Sequence, residues 1–163
     1  MDDLAIATNA TRDNPLLAVV AGGLTAGAID IGYAIVASSQ RGVAPSSVLQ
    51  SVASGLLGRA AYKGGTAAAL LGGLLHFAMT IAMAAIFVFA FRRFEIVRHN
   101  FVIAGLLYGT AIYFVMRWVI VPLSRFPGAG MKVVHLTELT VHAIGVGLVM
   151  ALCARRFAGQ LPN

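Results

Sequence analysis

The amino-acid sequence predicts an all-α polytopic membrane protein, with four transmembrane helices in a bundle and one interfacial amphipathic helix between the first two spans. The first observation is the composition. Of 163 residues, 59% are apolar and 11% are charged, about half the charged fraction of a typical soluble domain. The second observation is that charge-poor apolar runs recur at 16–38, 66–91, 101–123 and 133–154. The third is that none of these runs alternates polar and apolar residues, which favours helices over a β-barrel.

The first run begins just after Asn14 and Pro15. This pair is typical of a helix start, because asparagine caps the first turn and proline suits the first helical position. A helix of about 22 residues covers roughly 33 Å, slightly more than a hydrocarbon core of about 30 Å. Residues 1–15 are expected to form a flexible N-terminus before this membrane domain of residues 16–154.

The segment 45–62 is shorter than the spans and richer in serine. Apolar side chains follow one side of the predicted helix, and serine and glutamine fall largely elsewhere around it. The apolar stripe consists of Val48, Leu49, Val52, Leu56 and Ala60. This pattern predicts an amphipathic helix that lies at the membrane interface or is half inserted. A fifth full span is the alternative, and it would move the C-terminus to the other side of the membrane.

The remaining spans have their own boundary signals. Thr66 and Asn100 are candidate N-caps for the second and third spans, and Pro122 is expected to close the third. The fourth span is followed by a predicted C-terminal tail, residues 155–163. All four spans therefore belong to one membrane domain.

Cationic residues mark the span ends and indicate the orientation. Arginine pairs directly follow the second and fourth spans, at Arg92–Arg93 and Arg155–Arg156. By the positive-inside rule, these pairs place both termini in the cytoplasm. The net charge of +6 is explained by these flanks, and no array of aromatic and basic residues indicates a nucleic-acid partner.

Polar side chains inside the spans are costly in lipid and are candidates for function. They fall in the half of the membrane that carries the connections 39–65 and 122–132, at depths of roughly 7–15 Å. The candidates for a ligand or proton pocket are Asp30, His76, Tyr113, Arg117, Glu138 and His142. We predict that they line one interior pocket, roofed by the amphipathic helix, which binds or moves a cation, a proton or a small polar solute.

Helical spacing directs these side chains into the bundle. Asp30 shares its face with Gly23 and Gly27, and a Gly-x-x-x-Gly pair lets another helix approach closely. Gly105 and Gly109 form a second such pair in the third span. We expect these glycines to be helix-packing positions whose faces also allow a homo-oligomer. The other expected partners are the lipid bilayer and a larger membrane complex.

A metal is one candidate ligand of the predicted pocket. Carboxylate and imidazole groups suit divalent cations, which makes His76, Glu138 and His142 candidate metal ligands. Glu138 and His142 are four residues apart on one helix, where they can share a proton or ligate one metal ion.

Two other functions stay open. In a structural or accessory subunit of a membrane complex, the polar cluster only fixes the fold, and Asp30 and Arg117 neutralise one another as an ion pair. In a b-type haem protein, His76 and His142 are the two axial ligands, and neighbouring glycines make room for the porphyrin. Those glycines are Gly72, Gly73, Gly145 and Gly147. An enzyme is not predicted, since the sequence contains no H-E-x-x-H, G-x-S-x-G or phosphate-binding glycine loop.

Three features resemble small four-helix bacterial inner-membrane proteins of the YagU-like group. They are the glycine-rich first span around Gly23 and Gly27, the stretch LLHF that contains His76, and a final span with an acidic residue and His142 before the arginine pair. The resemblance implies a bacterial inner-membrane location and supplies no catalytic residues.

Overall fold

The computed structural model describes residues 13–128 and 134–159, and every regular element within these ranges is helical. The helices are α1 (Pro15–Ser39), α2 (Pro45–Leu57), α3 (Gly65–Arg93), α4 (Glu95–His99), α5 (Phe101–Leu123) and α6 (Leu136–Phe157). A 3₁₀ helix, Gly58–Lys63, joins α2 to α3. Four of the helices, α1, α3, α5 and α6, are long and apolar enough to cross a membrane. The prediction of an all-α chain with four helices able to span a membrane is therefore confirmed in the described residues.

The predicted starts of the spans agree with the structure to within a few residues, but their caps differ. Asn14 caps α1, since its Oδ1 accepts a hydrogen bond of 2.9 Å from the backbone N–H of Leu17. Thr66 is not a cap, because α3 begins one residue earlier behind Gly64. Asn100 occupies the N-cap position of α5 without a capping side-chain bond.

The described residues near both chain ends are attached to the helices. Arg155 and Arg156 belong to α6, so the tail does not begin at residue 155. Asp13 lies 3.4 Å from Arg92, and its Oδ1 also accepts a 3.2 Å hydrogen bond from the backbone N–H of Gly159. Residues 1–12 and 160–163, the rest of the predicted flexible terminus and tail, lie outside the described residues.

An apolar core fills the half of the molecule nearest the chain ends. α1 packs against α3 and α6, and α5 packs against α6. The buried side chains at these contacts include Phe87, Val146 and Met150. Tyr108 ties α5 to α3, since its hydroxyl donates a 2.8 Å hydrogen bond to the carbonyl of Met83. The predicted polar residues lie in the opposite half, where the longer connections are.

The glycines of α1 lie where α1 meets α3. A Cβ atom at Gly23 would lie 2.6 Å from the Cα of Ile81, and one at Gly27 would lie 2.7 Å from Oγ1 of Thr80. Real Cβ atoms do not approach other atoms this closely, so only glycine permits the observed helix spacing.

The glycines of α5 meet α6 in the same way. A Cβ at Gly105 would lie 2.9 Å from the carbonyl oxygen of Gly147, and one at Gly109 would overlap the carbonyl of His142. Both Gly-x-x-x-Gly pairs are thus covered within the chain. The faces that were expected to be available for a homo-oligomer are already occupied.

Helix α2 differs most from its prediction. The helix has 13 residues, fewer than the roughly 17–25 that a membrane span needs, so the alternative of a fifth span is wrong. Of the apolar stripe, Val48 alone is among the buried residues of α2. The buried residues are Val48, Gln50, Ala53 and Ser54, whereas Leu56 and Leu57 are exposed. Ala60 lies in the 3₁₀ helix and is exposed.

The reason is close backbone packing of α2 on α3. Gly72 of α3 touches the backbone of Leu49 and Ala53, a contact that any side chain at Gly72 would prevent. The buried polar groups have partners, since Gln50 donates a 3.0 Å hydrogen bond to the carbonyl of Gly65 and Ser54 bonds the carbonyl of Ser51. Small and paired polar groups therefore face the protein, while Leu56 and Leu57 face outward.

Candidate functional site

Three adjoining cavities lie between the helices in the half of the molecule that carries the connections. The outer cavity, about 480 Å³, extends to Arg41 and His135 at the helix ends. The apolar cavity, about 310 Å³, lies beneath α2 and between α3 and α5. The inner cavity, about 80 Å³, is deepest and reaches Met83 and Val146. Met116 lines all three cavities, and the outer and apolar cavities also share Phe126.

The structure brings every predicted pocket residue to these cavities. Asp30 and His76 line both the apolar and the inner cavities. His142 lines the outer and inner cavities. The remaining residues line the outer cavity, and they are Tyr113, Arg117 and Glu138.

Asp30 faces His142 across the contact between α1 and α6. The Oδ1 atom of Asp30 lies 3.7 Å from Nδ1 of His142, and the two side chains are 23% and 18% exposed, respectively. Among the described residues, no lysine or arginine pairs with this carboxylate. His142 is therefore the ionisable side chain that faces this carboxylate among the described residues.

Hydrogen bonds to backbone carbonyls determine the tautomer of each cavity histidine. Nδ1 of His142 lies 2.9 Å from the carbonyl oxygen of Glu138, and Nε2 of His76 lies 2.9 Å from that of Gly27. A carbonyl oxygen only accepts, so these ring nitrogens carry the hydrogens. In the neutral rings, Nε2 of His142 and Nδ1 of His76 keep their lone pairs and can each bind a proton or a metal ion.

Arg117 pairs with Glu138 and not with Asp30, so the predicted Asp30–Arg117 ion pair is wrong. Nη1 of Arg117 lies 3.5 Å from Oε2 of Glu138. The arginine also lies over the Tyr113 ring, 6.0 Å from its centroid. Because α5 packs against α6, Glu138 of α6 is the acidic residue that lies next to Arg117.

Two π-helical segments carry key side chains of the site, and sequence reasoning missed both. Met116–Ile120 in α5 includes Arg117, and Val141–Leu148 in α6 includes His142. Such segments are rare and occur mostly at functional sites. A π turn rotates all residues that follow it relative to an ideal α-helix. Residue spacing counted from the helix end therefore predicts poorly which way the side chains after the π turn point.

Further lining residues could not be found from the polar pattern. Val48 and Ser51 of α2 line the outer and apolar cavities, which shows that α2 covers the site. Phe126 follows α5, and the neighbouring backbone is attached to α2 by a 2.9 Å hydrogen bond from Arg125 N–H to the carbonyl of Gly55. An apolar side chain in a connection carries no sequence signal of its own.

No family model, curated protein or solved structure matches this chain. His76, Glu138 and His142 do not come together as a metal-binding set: Glu138 is engaged by Arg117, and the described residues contain no cluster of three or more His, Cys, Asp and Glu side chains that could hold a metal ion.

The arrangement expected for haem is not present either. His76 and His142 meet only at the inner cavity of about 80 Å³, well below the roughly 300–1,000 Å³ of pockets for drug-sized ligands. The space expected at three of the four glycines is filled, since Gly72 contacts the backbone of α2, Gly145 lies against Ile29 and Gly147 contacts the backbone of Gly105. Gly73 has nothing within 4 Å of its Cβ position.

The two cavity histidines are expected to be opposite tautomers. Histidine-selective ¹⁵N NMR of the purified protein at neutral or higher pH should show the hydrogen on Nδ1 for His142 and on Nε2 for His76, because each donates to a carbonyl. The chain has 4 histidines, so single His→Gln variants assign every signal. Exposed His135 is the internal control, and the same tautomer on both cavity rings would contradict the hydrogen-bond assignment.

Proposed function

We propose that this chain is a multi-pass inner-membrane protein that moves protons across the membrane by alternating access, binding each proton at the Asp30–His142 pair and exchanging it, in the arrangement described here, with the side that carries the connections. The observation that carries the proposal is the charge of Asp30. This carboxylate lies within a span and has His142 as its ionisable neighbour at 3.7 Å. An uncompensated carboxylate is unfavourable at this depth, which favours a proton or a cation bound at the pair.

The cavities give this pair a route to one side only. The outer cavity connects His142 with Arg41 and His135 near the helix ends. Towards the chain termini, the route is closed by buried side chains such as Phe87 and Met150. A cavity open to one side and closed to the other is the arrangement that alternating access requires.

Orientation follows from the arginine pairs at the ends of α3 and α6, which favour cytoplasmic termini. The outer cavity then opens towards the periplasm. In the membrane, α2 lies at the interface on that side, as its exposed Leu56 and Leu57 favour.

Proton movement can be measured in liposomes that contain the purified protein and the pH-sensitive dye pyranine. A potassium diffusion potential supplies the driving force. Asp30→Asn should slow the proton flux by about tenfold or more, because it removes the group that balances the transferred charge. Glu95→Gln is the matched control, since Glu95 is exposed in α4, away from the cavities.

Wild-type flux no faster than that of empty liposomes would overturn the proposal, and so would equal flux in Asp30→Asn. Either result favours the accessory role, in which the polar cluster only stabilises the fold. Loss of a partner protein from membranes of a deletion strain would then be the positive evidence for that role.

A further inference from the structure

The inner cavity contains a donor set that differs from the one predicted for a divalent metal. Three methionines line it: Met79 and Met83 from α3, and Met116 from α5. His76, His142 and Asp30 line the same cavity, but these three described side chains do not by themselves form a group that could hold a metal ion, so thioethers have to complete any ligand set. Four spans therefore direct thioether, imidazole and carboxylate groups to one space of about 80 Å³.

We infer that the inner cavity is a binding site for a soft monovalent metal ion, of which Cu⁺ is the biological example. Thioether ligands select Cu⁺ over harder cations, and imidazole is acceptable to it. Because the other ring nitrogen of each histidine bonds a carbonyl, Nδ1 of His76 and Nε2 of His142 keep lone pairs and can act as nitrogen ligands. This inference rests on the proposed function in one respect, because both depend on a carboxylate at Asp30 that no lysine or arginine neutralises among the described residues.

Charge favours a monovalent over a divalent ion. Asp30 supplies one negative charge, and the carboxylate of Glu138 is paired with Arg117 at 3.5 Å. A Cu⁺ ion would leave this region neutral, whereas a divalent ion would leave an excess positive charge in the membrane, which is unfavourable. Oxygen donors, which Na⁺ and K⁺ need, are few, because Asp30 and Thr80 are the lining side chains of this cavity that carry oxygen.

Methionine also fills irregular gaps in cores without binding anything. The positions of the methionines along α3 favour a binding role over gap filling. His76, Met79 and Met83 are spaced by three and four residues, so they lie on one face of the helix. That face lines the inner cavity. Met150, by contrast, is almost completely buried in the apolar core and lines none of the three cavities described.

The test is binding of Ag⁺, an air-stable analogue of Cu⁺, to the purified full-length protein by competition with a chromophoric chelator. All variants carry Cys153→Ala, since the free thiol of Cys153 would bind the same ions. We expect one equivalent of Ag⁺ per chain. The pair of substitutions Met79→Leu and Met116→Leu should weaken binding by about tenfold or more, at least the loss seen when a supporting residue around a metal is replaced.

Met150→Leu is the matched control, because leucine nearly conserves the volume of methionine and Met150 lies outside the cavities. X-ray absorption of the Cu⁺ complex should show sulfur and nitrogen neighbours, and the Met79/Met116 variant should lose sulfur. Absent binding, or equal affinity in that variant and in Met150→Leu, would overturn the site. The proton-flux assay contains no metal, so failure of the metal site is distinguishable from failure of the proposed function.

Discussion

Gly109→Ala is expected to lower the free energy of unfolding by about 3 kcal/mol, at the upper end of typical overpacking effects. A Cβ at Gly109 would overlap the carbonyl of His142 and lie 2.9 Å from the Cα of Ala143. These are backbone atoms, so no change of rotamer can relieve the overlap. α5 and α6 must therefore separate, which also displaces His142 from Asp30.

The measurement is equilibrium unfolding of the purified protein in mixed detergent micelles. Gly73→Ala is the matched control, because Gly73 also lies within a spanning helix but has nothing within 4 Å of its Cβ position. Alanine is a better helix former than glycine by roughly 1 kcal/mol, so Gly73→Ala should be neutral or stabilising. Opposite signs for the two substitutions are the expected result, and a Gly109→Ala variant as stable as Gly73→Ala would refute the close packing of α5 on α6.

The positions of the spans were predictable because a bilayer imposes strong and simple demands. A helix must be long enough to cross the hydrocarbon and must contain few charges, and both properties can be read from sequence without knowledge of its neighbours. Small residues such as Gly23 and Gly109 likewise indicate where helices approach each other. What they do not indicate is which helix approaches. In the structure, α3 packs against Gly23 and α6 packs against Gly109.

The amphipathic pattern of α2 did not predict which face the protein buries, since such a pattern has opposite meanings in water and in lipid. At an aqueous surface, Leu56 would turn inward and Ser54 outward. Here Ser54 is fully buried and Leu56 is 55% exposed, as suits a helix that packs its small residues against protein. Hydrophobic periodicity locates a helix in such a chain, but the surrounding solvent decides which face is inside.

The pairing of charges could not be derived from depth alone. Asp30, Arg117, Glu138 and His142 fall at similar depths, which leaves several pairings open. The contact of α5 with α6 and the π-helical segment Met116–Ile120 select Arg117–Glu138 and leave Asp30 to His142. Which pairs form determines whether the site holds a free negative charge, so the function depends on information that the sequence pattern lacks.

The Arg117–Glu138 pair is expected to behave as one unit in a double-mutant cycle. Arg117→Gln and Glu138→Gln should each lower the free energy of unfolding by about 2 kcal/mol, because each leaves a charge without its partner. This is less than the 3–5 kcal/mol typical of fully buried pairs, since the Glu138 side chain is 39% exposed and the contact distance is 3.5 Å. The double variant should recover most of the loss, since two neutral amides leave no unpaired charge.

The Asp13–Arg92 pair is the matched control for this cycle, because its contact distance of 3.4 Å is similar but Asp13 is 48% exposed near the chain end. Its coupling energy should fall within the roughly 0–1 kcal/mol of surface pairs. Strictly additive losses at Arg117 and Glu138 would contradict the pairing. The carboxylate of Glu138 would then be free to ligate a divalent metal with the cavity histidines, and the charge argument for a monovalent ion would fail with it.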